Sequence, residues 1–242
     1  MSISKNELRQ VRALSQKKYR DESGLFVVEG EKMVAEALAS GFEVLSVYRR
    51  EEIGEEAMGR LSLLSSPSPA LAVVRQPAPA ALRPSKGLFL ALDGIRDPGN
   101  LGTILRVADW FGVDGVFASP DTVELYNPKV VQATMGAIFR VPFYRTELPS
   151  LCWETVAGGG HVYGTFLDGN NLYHKELDCG KDAPSLIVIG NESNGISPEV
   201  AACVSDRLFI PPYPADDPGS ESLNAAIATA ITVAEFRRRI LA

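Results

Sequence analysis

Cysteine and histidine are scarce in this chain. Three cysteines (Cys152, Cys179 and Cys203) are scattered among 242 residues, and the two histidines are His161 and His174. Their spacing matches no metal-ligand pattern, so no bound metal is expected. An odd number of distant thiols also excludes a disulfide framework and fits a reducing compartment. No uninterrupted apolar run reaches the ~18 residues of a membrane span. The opening residues MSISKNELRQVRALSQKKYR are polar and basic, without the apolar core of an export signal, which points to a cytoplasmic protein. Two nucleotide fingerprints are missing as well. No G-x-G-x-x-G follows a predicted strand, which removes support for a nicotinamide cofactor. "GNESNGIS" sets Gly190 and Gly195 at phosphate-loop spacing but places Ile196 where the lysine belongs, which excludes a nucleotide triphosphatase.

Positive charge is in deficit overall, 24 Lys and Arg against 30 Asp and Glu, for a net charge of -6. That balance weighs against a surface built wholly for polyphosphate, but distribution matters more than the sum. Lys5, Arg9, Arg12, Lys17, Lys18 and Arg20 face only Glu7 in the first twenty residues, and Arg237, Arg238 and Arg239 cluster near the C-terminus. Each cluster reads either as a solvated helix face or as a phosphate-contacting patch.

Hydrophobic residues make up 45% and charged residues 22%, as in an ordinary globular protein. Leu8, Val11, Leu14 and Tyr19 suggest an amphipathic N-terminal helix. "GLFVVEG" reads as a strand, "EKMVAEALASG" as a helix stopped by Gly41, and "VLSVYRR" and "ALAVVRQP" as further strands. Residues 1–76 thus form a small α/β unit. A proline-rich link, 77–86, follows and marks a domain boundary. Over 87–242 strands and helices alternate: "LFLALDGI", a helix, "GVFAS", "PKVVQATMGAIF" with Pro128 in its first turn, "HVYGTFL", "SLIVIG", "SPEVAACV" capped by Ser197, "RLFIPP" and a long final helix. Such alternation implies a parallel sheet with helices on its faces, and ligands then sit beyond the carboxyl ends of the strands.

Three loops at those ends carry unusual residues. After the first strand, Asp97-Pro98-Gly99-Asn100 opens a helix that bears Arg106. Asn100 reads as a plain N-cap and Arg106 as an exposed helix charge, or the pair lines an anion-facing helix start. Gly190 to Ser197, with Glu192, is either an ordinary glycine turn or a loop that lets backbone approach a ligand. "IPPYPADDPGSESLNAA" leads into the last helix, with Ser220 or Ser222 as the plain cap. Singly each loop says little. Together they place Asn, Arg, Glu, Ser and Asn at one end of one sheet.

At these residues the sequence resembles the SpoU, or TrmH, family of RNA ribose 2'-O-methyltransferases. "DPGNLGTILRVADWFG", "LIVIGNESNGIS" and "IPPY…SESLNAAIA" are similar to its three motifs in order, and the N-terminal part is similar to the substrate-binding domain of its ribosomal-RNA members. The resemblance implies a small N-terminal α/β RNA-binding domain, a C-terminal methyltransferase domain closed by a trefoil knot, S-adenosylmethionine as cofactor, and a homodimer with the active site near its interface. It implies catalytic roles for Asn100, Arg106, Glu192, Ser222 and Asn224, and cofactor contacts from Thr165, Gly190, Ile210, Ser222 and Leu223. Arg9, Arg12, Lys17, Lys18 and Arg20 are then the expected RNA contacts. Arginine is a poor base near neutral pH, so Arg106 is expected to bind a neighbouring phosphate and stabilise developing negative charge. The stretch Ala215-Asp216-Asp217-Pro218 lengthens the third loop beyond the family's pattern. A transfer-RNA substrate, or a non-catalytic RNA-binding or ribosome-assembly role on the same fold, are the alternatives.

Overall fold

The computed structural model describes residues 3–78, 82–214 and 219–241. The lengthened loop at 215–218 and the middle of the proline-rich link fall outside them. The first part of the chain holds α1 (Lys5–Ala13), α2 (Lys17–Ser23), β1 (Leu25–Glu29), α3 (Glu31–Ala39), β2 (Val44–Arg49), α4 (Arg50–Ile53), α5 (Glu55–Leu61) and β3 (Ala70–Arg75). It continues through β4 (Gly87–Leu92), α6 (Pro98–Trp110), β5 (Gly115–Ala118), α7 (Pro128–Thr134), β6 (Phe143–Arg145), α8 (Leu148–Ala157), β7 (His161–Asn171), β8 (Pro184–Ile189), α9 (Pro198–Ala201), β9 (Asp206–Phe209) and α10 (Ala225–Leu241).

Two compact units result. The first comprises 1–79 together with 124–140, and the second 80–123 together with 141–242. The second domain expected from sequence, 87–242, therefore includes a segment, 124–140, that packs with the first unit.

In the first unit β1, β3 and β2 form an antiparallel sheet in that order. Val27, Leu71, Val73 and Tyr48 point from the sheet into a core with Val11, Leu14, Met58 and Leu61 from the helices. The single N-terminal helix expected from sequence is two helices. Ser4 caps α1 by accepting from the Glu7 amide, and the chain breaks after Leu14 before α2 starts. Val11 and Leu14 are buried as expected, but Tyr19 is exposed. The edge strand β1 is flanked by α7. Tyr126, just before α7, sets its ring 4.7 Å from that of Phe26, tilted by 40°.

Arg20 corrects the sequence reading. It is 2% exposed and forks onto both Glu124 oxygens, at 2.5 and 3.0 Å, while also donating to the Leu14 and Ser15 carbonyls. With its donors spent inside the fold, it is not free to contact RNA. Arg9, Arg12, Lys17 and Lys18 remain exposed. Arg12 reaches the Arg60 carbonyl, and Lys17 and Lys18 pair along α2 with Asp21 and Glu22.

The second unit holds six parallel strands in the order β6-β5-β4-β8-β7-β9. β4 and β8 are buried along nearly their whole length, which explains their continuous apolar runs. Phe89, Ala91, Leu186 and Val188 face a core shared with Leu151 and Cys152 of α8 and Val200 of α9. The alternate residues face the other side, where α6 and α10 pack together and α10 also meets β8. The C-terminal arginines are structural here. Arg237 donates to the Phe111 and Gly112 carbonyls, and Arg239 to those of Leu172 and Lys175, while Arg238 and Arg239 both clasp Glu235. These bonds, not phosphate, account for the cluster. The guanidinium of Arg238 and then that of Arg239 hold the Glu235 carboxyl down at about 2.

Candidate active site

The site is assembled at the carboxyl ends of β4, β8, β7 and β9. Beyond β4 the chain turns through Asp93 and Gly94 and starts α6 with Pro98 in its first turn. The cap of that helix is Asp97, whose Oδ1 accepts from the Asn100 amide at 2.8 Å. Asn100 is therefore not the cap, and its side-chain amide is left for another task. α6 buries Leu101, Ile104, Leu105 and Ala108, one face at helical spacing. Arg106 follows Asn100 by six residues, ~600° of helix, so it leaves a different side of α6. It is exposed and has no hydrogen-bond or ion-pair partner among the described residues.

The loop after β8 folds back on itself. Asn191 and Gly195 exchange both backbone hydrogen bonds at 2.9 Å, and Asn191 Oδ1 gathers the amides of Ser193 and Asn194. Gly190 sits where the returning strand crosses: a Cβ there would lie 2.3 Å from the Gly195 carbonyl carbon. The Asn191 side chain donates to the Gly94 carbonyl at 2.6 Å, and the buried Asp93 carboxylate accepts from the Ser197 amide at 2.7 Å. These two contacts fasten the β8 loop to the end of β4. Ser197 occupies the expected cap position of α9, but its side chain makes no capping bond.

A hydrogen-bond relay then joins all three loops. Asn100 Nδ2 donates to Glu192 Oε1, and Asn224 Nδ2 donates to Asn100 Oδ1 at 2.8 Å. Asn224 Oδ1 in turn accepts from the Ala226 and Ile227 amides at 3.0 and 3.2 Å, so Asn224 caps α10, rather than Ser220 or Ser222. The direction of the relay follows from its end. A carboxylate only accepts, so Glu192 fixes the Asn100 amide toward itself, which turns the Asn100 oxygen toward Asn224.

The expected cofactor residues line three neighbouring strand ends. Gly164 pairs with Val188, so Thr165 is level with Ile189, one residue before Gly190. Its hydroxyl donates to the Val188 carbonyl at 3.2 Å. Thr165 also pairs with Leu208, two residues before Ile210. After Thr165 the strand makes a four-residue bulge before Asn170 pairs again with Leu208. Arg207 holds that bulge, resting 3.5 Å over the Phe166 ring and pairing with Asp168, whose carboxyl is thereby held below its ordinary range. Ser222 and Leu223 are exposed immediately before Asn224.

Among the predicted residues, Asn100, Glu192 and Asn224 are thus in direct contact, and Thr165, Gly190 and Ile210 share one rim. Among the described residues, neither Arg106 nor Ser222 hydrogen-bonds to the relay. Asn191, Asp93 and Asp97 were missed by the sequence reading. The Asn-x-Ser-Asn-Gly run signals an Asx turn at Asn191, and Asp97-Pro98 signals a helix cap. The residues fit an adenosyl cofactor. Thr165, Gly190, Ile210 and Leu223 offer backbone and uncharged side chains, and the tight crossing at Gly190 leaves backbone, not side chain, at the rim.

Fold and site define a parallel α/β domain with a candidate site built from loops at the carboxyl end of its sheet, alongside a smaller α/β unit. The chain belongs to the SpoU rRNA Methylase family, which matches residues 87–234. Residues 5–73 match the MRM3-like substrate binding domain. It is 30% identical to the 23S rRNA (guanosine(2553)-2'-O)-methyltransferase RlmP of Bacillus subtilis, over 98% of both chains. Its fold superposes with a TM-score of 0.88 on an AdoMet-bound rRNA methyltransferase from Sinorhizobium meliloti, 30% identical and covering 100% of this chain and 98% of that one. A TrmH-family protein from Porphyromonas gingivalis also reaches a TM-score of 0.88, at 38% identity over 99% of this chain and 100% of that one.

Proposed function

We propose that this chain transfers the methyl group of S-adenosylmethionine to a ribose 2'-hydroxyl of ribosomal RNA. The observation that carries the reading is the Glu192–Asn100–Asn224 relay, which ties three distant motif loops together at the start of the helix that bears Arg106. The cofactor, when bound, supplies a methyl group already activated as a sulfonium. The protein's work is placement and charge. Thr165, Gly190, Ile210, Ser222 and Leu223 hold the cofactor through backbone and uncharged groups. Asn100, Glu192 and Asn224 keep the loops in register. Arg106, with five donors and no partner among the described residues, binds the phosphate next to the target ribose and stabilises the oxyanion as the hydroxyl loses its proton.

The match of 5–73 to a substrate-binding domain, and relatives named for ribosomal RNA, favour that RNA over transfer RNA. Arg9, Arg12, Lys17 and Lys18 are the phosphate contacts of the first unit. A homodimer belongs to this reading: Ile227 on α10 and Leu223 before it are half exposed, apolar side chains beside the site loops. The trefoil knot belongs to it too, supported by the strand order and by the return of α10 onto α6 and β8. Among the described residues no helix is long and apolar enough to cross a membrane, and no cluster of His, Cys, Asp and Glu could hold a metal ion. The three free, buried thiols suit cytoplasmic work.

Arg106→Ala tests the assignment. Methyl transfer to ribosomal RNA from cells lacking the protein should fall about 10²-fold or more, the usual cost of removing one oxyanion donor. Cofactor affinity by titration calorimetry should stay near native. Turnover within a few-fold of native would overturn the role of Arg106.

A further inference from the structure

The first unit contains a hollow of about 320 Å³ between the edge strand β1, the segment after α5, and α7. Its walls are apolar, from Val27, Leu63, Leu64 and Val131. Into it is set a carboxylate, Glu29, only 5% exposed. Glu29 Oε2 accepts from the Ser62 hydroxyl and Oε1 from the Leu63 amide, both at 2.6 Å, which leaves each oxygen one further acceptor site. No cation pairs with it among the described residues. Burying a carboxylate without a counter-charge is costly, and a core made for stability alone would place an apolar side chain there. At the rim Lys129 is exposed, with no ion-pair partner among the described residues, and Gln132 offers an amide.

A ligand for this hollow must be small, flat enough for apolar walls, and equipped with paired N–H donors at one edge, with negative charge near Lys129. An unpaired RNA base carries those features together. Of the four bases, guanine presents adjacent donors, N1–H and N2–H₂, that match two carboxylate oxygens. Cytosine and adenine set one amino group beside an acceptor, and uracil flanks its single N–H with two carbonyls. We infer that this hollow is a guanine-reading slot: Glu29 accepts from the Watson–Crick edge of a splayed-out guanine in the substrate RNA, and Lys129 meets its phosphate. The inference rests on the RNA-methyltransferase reading, and names a specificity contact outside the site of methyl transfer.

The test uses the full chain, isotope-labelled, titrated with 5'-GMP, AMP, CMP and UMP and followed by amide resonances. GMP should shift Leu63, Leu64, Val131 and Gln132, and UMP should leave them in place. Ala133→Phe fills the hollow from α7 without touching the bonds of Glu29, and should remove the GMP shifts and raise KM for ribosomal RNA with kcat unchanged. Glu29→Gln, with folding checked by thermal melting, should weaken GMP roughly tenfold, as expected for loss of one bidentate base contact. Equal shifts from all four nucleotides, no shifts at millimolar GMP, or GMP shifts that survive Ala133→Phe would each overturn the slot. If native protein methylates ribosomal RNA yet GMP moves nothing, the slot fails and the function stands. If GMP binds selectively but no RNA is methylated, the function fails and the slot stands.

Discussion

Replacing Asn100 by Asp separates what the relay does for folding from what it does for chemistry. The change is isosteric. It keeps the oxygen that accepts from Asn224 but turns the donor facing Glu192 into a second carboxylate. Lost is one charge-assisted hydrogen bond, about 1–2 kcal/mol at this solvent-exposed position. Added is like-charge repulsion of about 1–4 kcal/mol at ~4 Å for effective dielectrics between water and a protein surface. Little of this reaches global stability, because Glu192 can swing into water. A carboxylate in the first turn of α6 also gains about 0.3–1 kcal/mol from the helix dipole. The melting temperature should therefore move by only a few degrees, at ~2–4 °C per kcal/mol for a chain of this size. Methyl transfer should fall about 10²-fold, because the β8 loop no longer docks against α6 and small misplacements are expensive. Adding Glu192→Gln restores a donor opposite the new acid, and single-turnover methylation by the double variant should recover about tenfold, a coupling near 1–2 kcal/mol. Native turnover in Asn100→Asp, or strictly additive losses in the double variant, would refute the relay as the element that aligns the site.

Arg20→Met strands Glu124, whose side chain is 19% exposed, and removes two carbonyl contacts; unfolding in denaturant should show a loss of about 3 kcal/mol, while the salt dependence of RNA binding stays native. Arg9→Ala should do the reverse, lowering the salt slope and sparing stability. Gly190→Ala drives a methyl group to 2.3 Å from the Gly195 carbonyl carbon, so the loop must open, and calorimetry should show cofactor affinity reduced at least tenfold, by roughly 1.4 kcal/mol. Glu235 has a folded value of about 2, well below its unfolded value, so its pairing with Arg238 and Arg239 stabilises the fold above pH ~4.5 and is lost as pH falls toward 2. Because Arg238 is largely exposed, screening by solvent keeps that contribution small. Glu235→Gln should flatten the thermal stability profile between those pH values, and an unchanged profile would refute the pairing.

The parallel sheet was legible because β4 and β8 are buried on both faces, leaving unbroken apolar runs. The three loops were legible from Asp-Pro, Asn-Gly and proline clusters that only turns tolerate. What the loops do to one another was not legible from local pattern, since Asn100 meets Glu192 across 92 positions and Asn224 across 124. The same distance hid Arg20, which looks locally like any basic helix residue until Glu124 arrives 104 positions later. β6 has three residues, too few for an alternating pattern, and α8 opens on Leu-Pro with no side-chain cap to mark its start. The apolar face of α7 announced burial without announcing its neighbour, so the segment was placed with the elements beside it in sequence.

That segment bears on how the chain could be cut or shuffled. A fragment ending at the proline-rich link would keep β1 but lose the helix beside its open edge, keep a buried guanidinium but lose the acid it clasps, and keep Phe26 without Tyr126. Such a piece would expose a sheet edge prone to pairing with its own copies. The small unit is therefore not an interchangeable head. Grafting it onto another enzyme would require carrying residues 124–140 along, and recombination at the link alone should yield insoluble chains.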